Sequence, residues 1–600
     1  MSLPNEIMLD LTQLLRIPHV DAGFDISPDG THVAFTWNKS GDWHIYELSR
    51  AERTLSEGEV EVEAQSEGEI SQLTSISGGK LNPRYSPDGK YLAYALDLDG
   101  SESYHIILHN LQTTSQIDLT LNYAYAQQPN FDFSPDGKMV AFLSDEPGQF
   151  SLYVLTVETG ERKLLLDIHR PLWDVKWSPD GKWIAVEAEM EASDRGIFVV
   201  EVESGKWKLL EGLNAEQPAW STDSKFVAFC AESGEWFDIG LYEVETGNIE
   251  WITQSTGDDM SPRWSVDGRR ISWVHAEGAA NSLIVWERGV PVKRFQLSAG
   301  IHHSPQFTPR GEILSLFESP KQPPDLWKLN LDGTFEQLTN SFPEEFRDTE
   351  FVLPEEVSYE NEGVHVPALL YRGRGDGAVV NIHGGPNWQI QFLWDPISQH
   401  MASRGWTVLH PNYRGSTGYG RAWQIASRYD MGGVDTRDCA AGVPFLLKET
   451  STKKFAVTGR SHGGYLTMTC LTQYPELWCG GSAVVPFMNW FKSHDESRED
   501  LQHWNIENMG DPKENYERWY DASPYFFLDR VNAPVQLICG GNDPRCPASD
   551  SVDARDKLVE LGKQVELLLY DEEGHSFLKM ENVIDSEVRR VEFLARVLEK

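Results

Sequence analysis

Hydrophobic and polar positions alternate in short runs through the first half of the chain. Each run, such as residues 182–187, follows a polar turn, and a hairpin-like segment such as 196–210 comes after it. Short alternating runs between turn residues are typical of β-strands. After residue 341, strand-like runs such as 455–458 are followed by helix-compatible runs such as 465–471. The pattern predicts an all-β domain followed by an α/β domain.

The turns of the first half recur at a nearly constant spacing. Four copies contain Ser-Pro-Asp-Gly and three are degenerate, and the spacings after the first are 48, 44, 43, 44 and 43 residues. In such a turn Pro presets φ, Asp bonds its own backbone and Gly supplies a positive φ. One four-stranded blade per repeat predicts a seven-bladed β-propeller. The turn serines or threonines lie at positions 27, 86, 134, 178, 221, 265 and 308.

The first spacing, 59 residues, is longer than the others. The polar, acidic segment 52–69 accounts for the difference, either as an inserted loop or as a longer hairpin of the first blade. We expect this segment to be solvated and to have no catalytic role.

The strongest chemical signal is the pentapeptide Gly-Arg-Ser-His-Gly at residues 459–463. A β-rich run leads into it and a helix-compatible run leads out, which is the strand–turn–helix context of a nucleophile elbow. The turn is so sharp that side chains two positions before and after Ser461 would collide, and both positions are Gly.

Two further candidates follow in the order Ser, Asp, His. Asp543 lies just past the buried run 534–542, and His575 lies in the loop after the strand-like run 564–570. Catalytic groups of open parallel sheets collect at the carboxyl ends of strands. Because a serine hydroxyl is a weak nucleophile, we expect His575 to take its proton while Asp543 orients the imidazole.

An apolar run, residues 378–382, leads into His-Gly-Gly-Pro, which predicts an oxyanion hole. The glycine pair is the usual source of one backbone N–H, and His462, after the nucleophile, supplies the other. An ordinary turn at Gly384 and Gly385 is the alternative. His383 and His462 lack the spacing of a metal motif, so we predict neither a metal nor another cofactor.

Six hundred residues exceed what one hydrophobic core usually serves. We predict an N-terminal helix within residues 1–19 that packs on the hydrolase, a propeller over 20–341, and a doubly wound, mostly parallel α/β-hydrolase domain over 342–600. The helix is predicted from the spacing of its apolar residues Ile7, Leu11, Leu14 and Leu15.

Composition limits the partners and the compartment. A net charge of −40 argues against nucleic acid or an anionic membrane surface as a partner. Six cysteines without close-paired spacing favour reduced thiols over a disulfide framework. No apolar stretch reaches transmembrane length, and the N-terminus lacks the pattern of a signal peptide. We therefore expect a cytoplasmic protein.

The Ser-Asp-His order, His-Gly-Gly-Pro and the Ser-Pro-Asp-Gly propeller together resemble the prolyl oligopeptidase family of serine peptidases, most of all its acylaminoacyl-peptidase branch. The resemblance covers nearly the whole chain, and its most specific segments are 412–420, 459–465 and 541–545. It implies that Ser461 is the nucleophile, Asp543 the orienting carboxylate and His575 the general base. It also implies an oxyanion hole formed by the amides of Gly385 and His462.

The same resemblance implies that Arg545 binds a main-chain carbonyl of the substrate, with a structural ion pair as the alternative. Phe487 and Trp490 either line an apolar P1 pocket or belong to the core. Two residues depart from the family pattern: Arg460 stands where relatives commonly have a small residue or His, and His462 where Tyr is common. We therefore expect nearby subsites to differ.

The resemblance implies hydrolysis of short peptides through an acyl-enzyme, with release of N-acylated amino acids or short N-terminal pieces. The propeller would restrict substrate size. The glutamate pairs 344–345 and 355–356 lie at the domain junction, which disfavours a dipeptidyl peptidase. A carboxypeptidase of the same family and an esterase remain alternatives. A non-catalytic propeller binding protein is disfavoured by the intact Ser-Asp-His set, and a homo-oligomer stays open.

Overall fold

The computed structural model of the protein describes residues 8–50, 68–210 and 212–599. Most of the acidic segment 52–69, together with Ile7 of the N-terminal helix prediction, lies outside the described residues. Within them, no helix is both long enough and apolar enough to span a bilayer.

Seven four-stranded antiparallel sheets follow one another along the chain, and in each the strands pair in sequence order. The predicted seven-bladed propeller is confirmed. The first three blades contain β1 (Val20–Ile26), β2 (His32–Trp37), β3 (His44–Ser49), β4 (Ile70–Gln72); β5 (Gly79–Tyr85), β6 (Tyr91–Asp97), β7 (His105–Asn110), β8 (Gln116–Asp118); and β9 (Gln127–Phe133), β10 (Met139–Ser144), β11 (Ser151–Thr156), β12 (Arg162–Leu166).

The other four blades continue the same arrangement. They contain β13 (Leu172–Trp177), β14 (Trp183–Glu189), β15 (Arg195–Glu201), β16 (Trp207–Leu209); β17 (Ala215–Trp220), β18 (Phe226–Glu232), β19 (Phe237–Glu243), β20 (Ile249–Trp251); β21 (Asp258–Trp264), β22 (Arg270–Glu277), β23 (Ala280–Glu287), β24 (Lys293–Phe295); and β25 (Ile301–Phe307), β26 (Ile313–Ser319), β27 (Gln322–Leu329), β28 (Phe335–Gln337).

The recurring turn is closed in the same way in successive blades. In the first, the Ser27 hydroxyl donates to Asp29 at 2.7 Å, and the backbone N–H of His32 donates to the same hydroxyl at 2.9 Å. Both bonds recur at Ser86, Ser134, Ser178, Ser221 and Ser265. The motif therefore fixes where the first strand ends and the second strand begins in six of the seven blades.

The remaining strands form one eight-stranded sheet in the order β29-β30-β32-β31-β33-β34-β35-β36. From β31 and β32 to β36 the neighbours are parallel, and β29 and β30 are antiparallel at one edge. The predicted α/β-hydrolase fold is confirmed. The strands are β29 (Glu355–Asn361), β30 (Val364–Tyr371), β31 (Ala378–Ile382), β32 (Thr407–Pro411), β33 (Phe455–Arg460), β34 (Gly480–Val484), β35 (Val535–Gly540) and β36 (Val565–Tyr570).

The helices of the described structure are α1 (Leu11–Leu15), α2 (Pro396–Ser403), α3 (Arg421–Gln424), α4 (Val434–Glu449), α5 (His462–Gln473), α6 (Trp490–Glu496), α7 (Glu499–Met509), α8 (Tyr516–Asp521), α9 (Ala548–Glu560) and α10 (Met580–Leu598), with 3₁₀ helices at Glu344–Phe346 and Pro524–Arg530. Helices α2, α4, α5, α9 and α10 pack on the two faces of this sheet, and the other helices lie in its connections or on those helices. In α1, Leu11 and Leu15 pack in a core cluster with Met401 of α2 and Leu594 of α10. The N-terminal helix therefore packs on the hydrolase domain.

Candidate active site

Ser461 occupies the turn between β33 and α5 with φ 59° and ψ −124°, a region that few residues other than glycine adopt. A Cβ at Gly459 would lie 2.4 Å from the carbonyl oxygen of Gly463, and a Cβ at Gly463 would lie 2.1 Å from that of Ile382. Neither contact is tolerable for a side chain, so both glycines are required for the turn. The strained turn holds Ser461 at the carboxyl end of the central strand.

The structure brings the three predicted triad residues together. His575 Nε2 lies 3.0 Å from Ser461 Oγ, and His575 Nδ1 lies 2.9 Å from Asp543 Oδ2. The backbone N–H groups of Arg545 and Cys546 donate to Asp543 Oδ1 at 2.8 and 2.9 Å, which fixes the carboxylate. Asp543 and His575 are 6% and 8% exposed, so their interaction is shielded from water. The geometry allows proton transfer from the hydroxyl to the imidazole.

The two predicted oxyanion-hole residues both line the cavity beside Ser461. His462 is the first residue of α5, so its amide has no acceptor within the helix. Gly385 has φ +121°, which only glycine adopts without strain. His383 is held by Ser416, whose hydroxyl lies 2.9 Å from Nε2, and burial lowers the pKa of His383 to about 3. It is therefore a neutral structural residue.

A cavity of about 740 Å³ separates the hydrolase from the propeller, and Ser461 lies in its wall. Phe487 also lines this cavity, half-buried and stacked on Tyr465 with ring centroids 4.5 Å apart. Trp490 does not line it. Its side chain is 1% exposed and packs edge-on behind Phe487, with ring centroids 4.9 Å apart, because α6 turns it into the core. Of the two aromatic candidates for the P1 pocket, only Phe487 can contact a ligand directly.

Arg545 lines the cavity and is also engaged in an ion pair. Its Nε lies 2.8 and 2.9 Å from the two carboxylate oxygens of Glu102, which comes from the loop between β6 and β7 of the propeller. The Arg545 side chain is 49% exposed and Glu102 is 11% exposed. Both roles considered for Arg545 are therefore open to it, because the exposed face of the guanidinium can still donate to a ligand.

The loop that carries Glu102 also packs on the two loops that carry Asp543 and His575. The side-chain amide of Asn542 donates to the Asp99 carbonyl at 3.0 Å. A Cβ at Gly100 would lie 2.5 Å from the backbone nitrogen of Gly574, so the two backbones are in direct contact. A propeller loop thus supports the residue next to His575.

The propeller side of the cavity carries acidic residues that sequence reasoning missed, Glu189, Glu216 and Asp258. Burial raises the pKa of Glu216 to about 8, that of Glu189 to about 7 and that of Asp258 to about 6. Among the described residues, one oxygen of Glu189 has no hydrogen-bond partner. Glu216 and Asp258 lie five and seven residues before the turn serines 221 and 265. Both lie on the strand that leads into the turn, β17 and β21, and acidic residues on those strands were a signal that could have found them.

Asp543 and His575 also form a cluster with Cys546, in which one possible metal-ligand atom from each lies within 4.8 Å of the others. Burial raises the pKa of the Cys546 thiol well above its usual value. A protonated thiol is a poor metal ligand, because metal binding requires the thiolate. The donor set therefore does not favour a metal site.

Each of the two domains matches a different known protein family. Residues 392–600 match the prolyl oligopeptidase family, and residues 51–247 match the TolB beta propeller domain. The carboxyl-terminal domain belongs to the prolyl oligopeptidase family. The chain is 24% identical to the uncharacterized peptidase YuxL of Bacillus subtilis (strain 168), over 92% of this chain and 85% of that protein. The family match of this domain and the peptidase relative over nearly the whole chain together identify a peptidase.

Two further similar proteins are named for an enzymatic activity. The chain is 30% identical to the acylamino-acid-releasing enzyme of Rattus norvegicus, over 36% of this chain and 31% of that enzyme. Among solved structures, it resembles a puromycin-hydrolyzing peptidase of Mycobacterium tuberculosis with a TM-score of 0.85 and 17% identity, covering 100% of this chain and 98% of that one. At that identity the structural likeness supports the shared fold.

Proposed function

We propose that the protein is a serine peptidase that hydrolyses short peptides through an acyl-enzyme. The observation that carries the proposal is the Ser461–His575–Asp543 geometry within a cavity that the propeller covers. Unfolded peptides can enter such a cavity, whereas folded proteins are too large for it. The peptidase relatives agree with this substrate class.

In the proposed reaction, Ser461 Oγ attacks the peptide carbonyl carbon while His575 Nε2 takes the hydroxyl proton. The oxyanion of the tetrahedral intermediate accepts hydrogen bonds from the amides of Gly385 and His462. The C–N bond then breaks, and His575 gives its proton to the leaving amine. Water next attacks the acyl-enzyme with His575 again acting as base, which releases the acid and restores Ser461. Asp543 holds the imidazole and stabilises its cation throughout.

Fluorophosphonate labelling tests the nucleophile directly. The parent protein should label at Ser461 and cleave a peptide anilide, and Ser461→Ala should lose both activities while it stays folded. Ser451→Ala is the matched control, since Ser451 is an exposed serine bonded only to Asp376 among the described residues. A parent that does not label, or a Ser461→Ala variant that still turns over substrate, would refute the proposal.

Two kinds of substrate group are candidates for recognition in the cavity. The rat relative's name suggests release of N-acylated amino acids. The acidic propeller wall favours instead a free N-terminal ammonium or a basic side chain, because a cation beside Glu189, Glu216 and Asp258 would offset the burial that raises their pKa values. The carboxypeptidase alternative is disfavoured, since of the two cavity arginines Arg195 pairs with Glu187 and Arg545 keeps only the exposed face of its guanidinium for a free carboxylate.

One peptide in four forms separates these candidates. The forms are free, N-acetylated, C-amidated and a p-nitrophenyl ester of its N-terminal part, each followed by mass spectrometry or absorbance. Preference for the acetylated form supports an acylaminoacyl peptidase. Preference for the free form, lost in Glu216→Gln, supports the aminopeptidase reading. Loss of cleavage on C-amidation would indicate a carboxypeptidase, and cleavage of the ester alone would indicate an esterase.

A further inference from the structure

Arg460, the residue before the nucleophile, contacts the backbone of His575. Arg460 is the last residue of β33, and one terminal nitrogen of its guanidinium donates to the backbone carbonyl of His575 at 3.2 Å. The other terminal nitrogen lies 3.3 Å from Glu587 Oε1 on α10. The guanidinium carbon also lies 5.8 Å from the ring centroid of Phe577, two residues past His575. Arg460 thus reaches both the histidine loop and the C-terminal helix.

Glu587 is the centre of a buried ionic cluster. It is 5% exposed, and its second oxygen lies 3.0 Å from Arg590, which is 4% exposed. Burial alone would raise the pKa of Glu587, but Arg590 and Arg460 outweigh it and hold that pKa below its usual value. The carboxylate is therefore ionised at neutral pH and is shared between two arginines.

Arg590 extends the cluster to the strands that end at the site. Its Nε donates to the Thr458 hydroxyl of β33 at 2.8 Å, and a terminal nitrogen donates to Asn381 of β31 at 3.1 Å. β31 leads to the predicted oxyanion loop, and β33 leads to Ser461. One helix thus binds the carboxyl ends of both strands and, through Arg460, the histidine loop.

We propose that Arg460, Glu587 and Arg590 form a positioning network that holds the His575 loop in register with Ser461. Arg460 is the member that acts on the histidine, because it alone among the three bonds that loop in the described structure. The inference rests on the proposed function, in which His575 is the base. The Arg460 guanidinium is suited to holding this loop, because its planar fork donates to the His575 carbonyl and to Glu587 at the same time. An ammonium group cannot make both bonds in the same geometry.

Arg460 can be substituted without leaving the buried Glu587 carboxylate unpaired. Its side chain is 39% exposed, and Glu587 would keep Arg590 as a partner. Arg460→Met keeps the apolar stem of the side chain but removes both donors. We expect kcat to fall roughly 10- to 100-fold with KM nearly unchanged. The reason is that a misplaced base reduces stabilisation of the transition state more than it reduces substrate binding. Arg460→Lys should have an intermediate kcat. Arg589→Met is the matched control, since among the described residues the Arg589 side chain pairs only with the half-buried Asp585.

The experiment measures kcat and KM on a peptide anilide, the rate of fluorophosphonate labelling, and thermal unfolding for each variant. Arg460→Ala supplies a further arm, in which millimolar ethylguanidinium should restore part of kcat by filling the vacated, half-exposed site. Parental kcat in folded Arg460→Met would overturn the proposal, as would a change confined to KM or a loss in Arg460→Ala that ethylguanidinium does not reverse. These outcomes differ from failure of the proposed function, in which Ser461→Ala would retain activity.

Discussion

Changing one propeller glycine should impair chemistry in the hydrolase domain. Gly100 has φ +79°, and a Cβ there would lie 2.5 Å from the nitrogen and 2.9 Å from the Cα of Gly574, next to His575. Both contacts are to backbone, which cannot rotate away, so the two loops must separate by about 1 Å to reach van der Waals distance. A shift of that size takes the 3.0 Å contact between His575 and Ser461 out of hydrogen-bond range.

Misplacement of a reacting group by about 1 Å can lower the rate roughly 100-fold. We therefore expect kcat of Gly100→Ala to fall about 10- to 100-fold, equivalent to roughly 1.4 to 2.7 kcal/mol of activation free energy. The matched control is Gly160→Ala, because Gly160 has φ +69° and no atom within 4 Å of an added Cβ. Both variants carry the left-handed strain of about 1–2 kcal/mol, but only one carries the clash.

The assay compares kcat and KM on a peptide anilide, with thermal unfolding measured in parallel. A larger loss of thermal stability is expected for Gly100→Ala, because it carries the clash as well as the left-handed strain, and a loss of kcat is expected in that variant alone. Equal kcat in folded Gly100→Ala and Gly160→Ala would refute the reasoning that the propeller loop positions the histidine.

Three further outcomes follow from the cavity. Burial raises the pKa of Glu216 to about 8, so the folded state binds more protons than the unfolded state between about pH 4.3 and 8. The stability that the protonated group contributes below this window is lost progressively as the pH rises through it. Tm should therefore fall more between pH 6 and 9 in the parent than in Glu216→Gln, and equal slopes would contradict the assignment. Phe487→Ala should raise KM for peptides with an aromatic P1, whereas Trp490→Ala should lower the free energy of unfolding by about 3–5 kcal/mol; a selective KM effect from Trp490→Ala would reverse those roles. Arg545→Ala should raise KM roughly 10- to 100-fold with little change in kcat, since a hydrogen bond to a charged group contributes about 1.5–3 kcal/mol; an unchanged KM would leave Arg545 as an ion-pair residue only.

The sequence by itself determined both folds. The Ser-Pro-Asp-Gly turn is a local structure whose hydroxyl, carboxylate and glycine act within a few residues, so its repetition predicts the blades without knowledge of their packing. The elbow around Ser461 is local for the same reason. Asp543 and His575 could be selected because parallel strands bring their carboxyl ends to one edge, which makes a strand end a positional rule.

Tertiary structure decided what depends on contacts between distant segments. Glu102 reaches Arg545, and Gly100 reaches Gly574, only because the propeller rests on the hydrolase domain. The acidic cavity wall is assembled from different blades, and Arg460 meets Glu587 through the packing of α10 on the sheet. Such contacts follow from the relative placement of whole elements, which periodicity and local spacing do not encode.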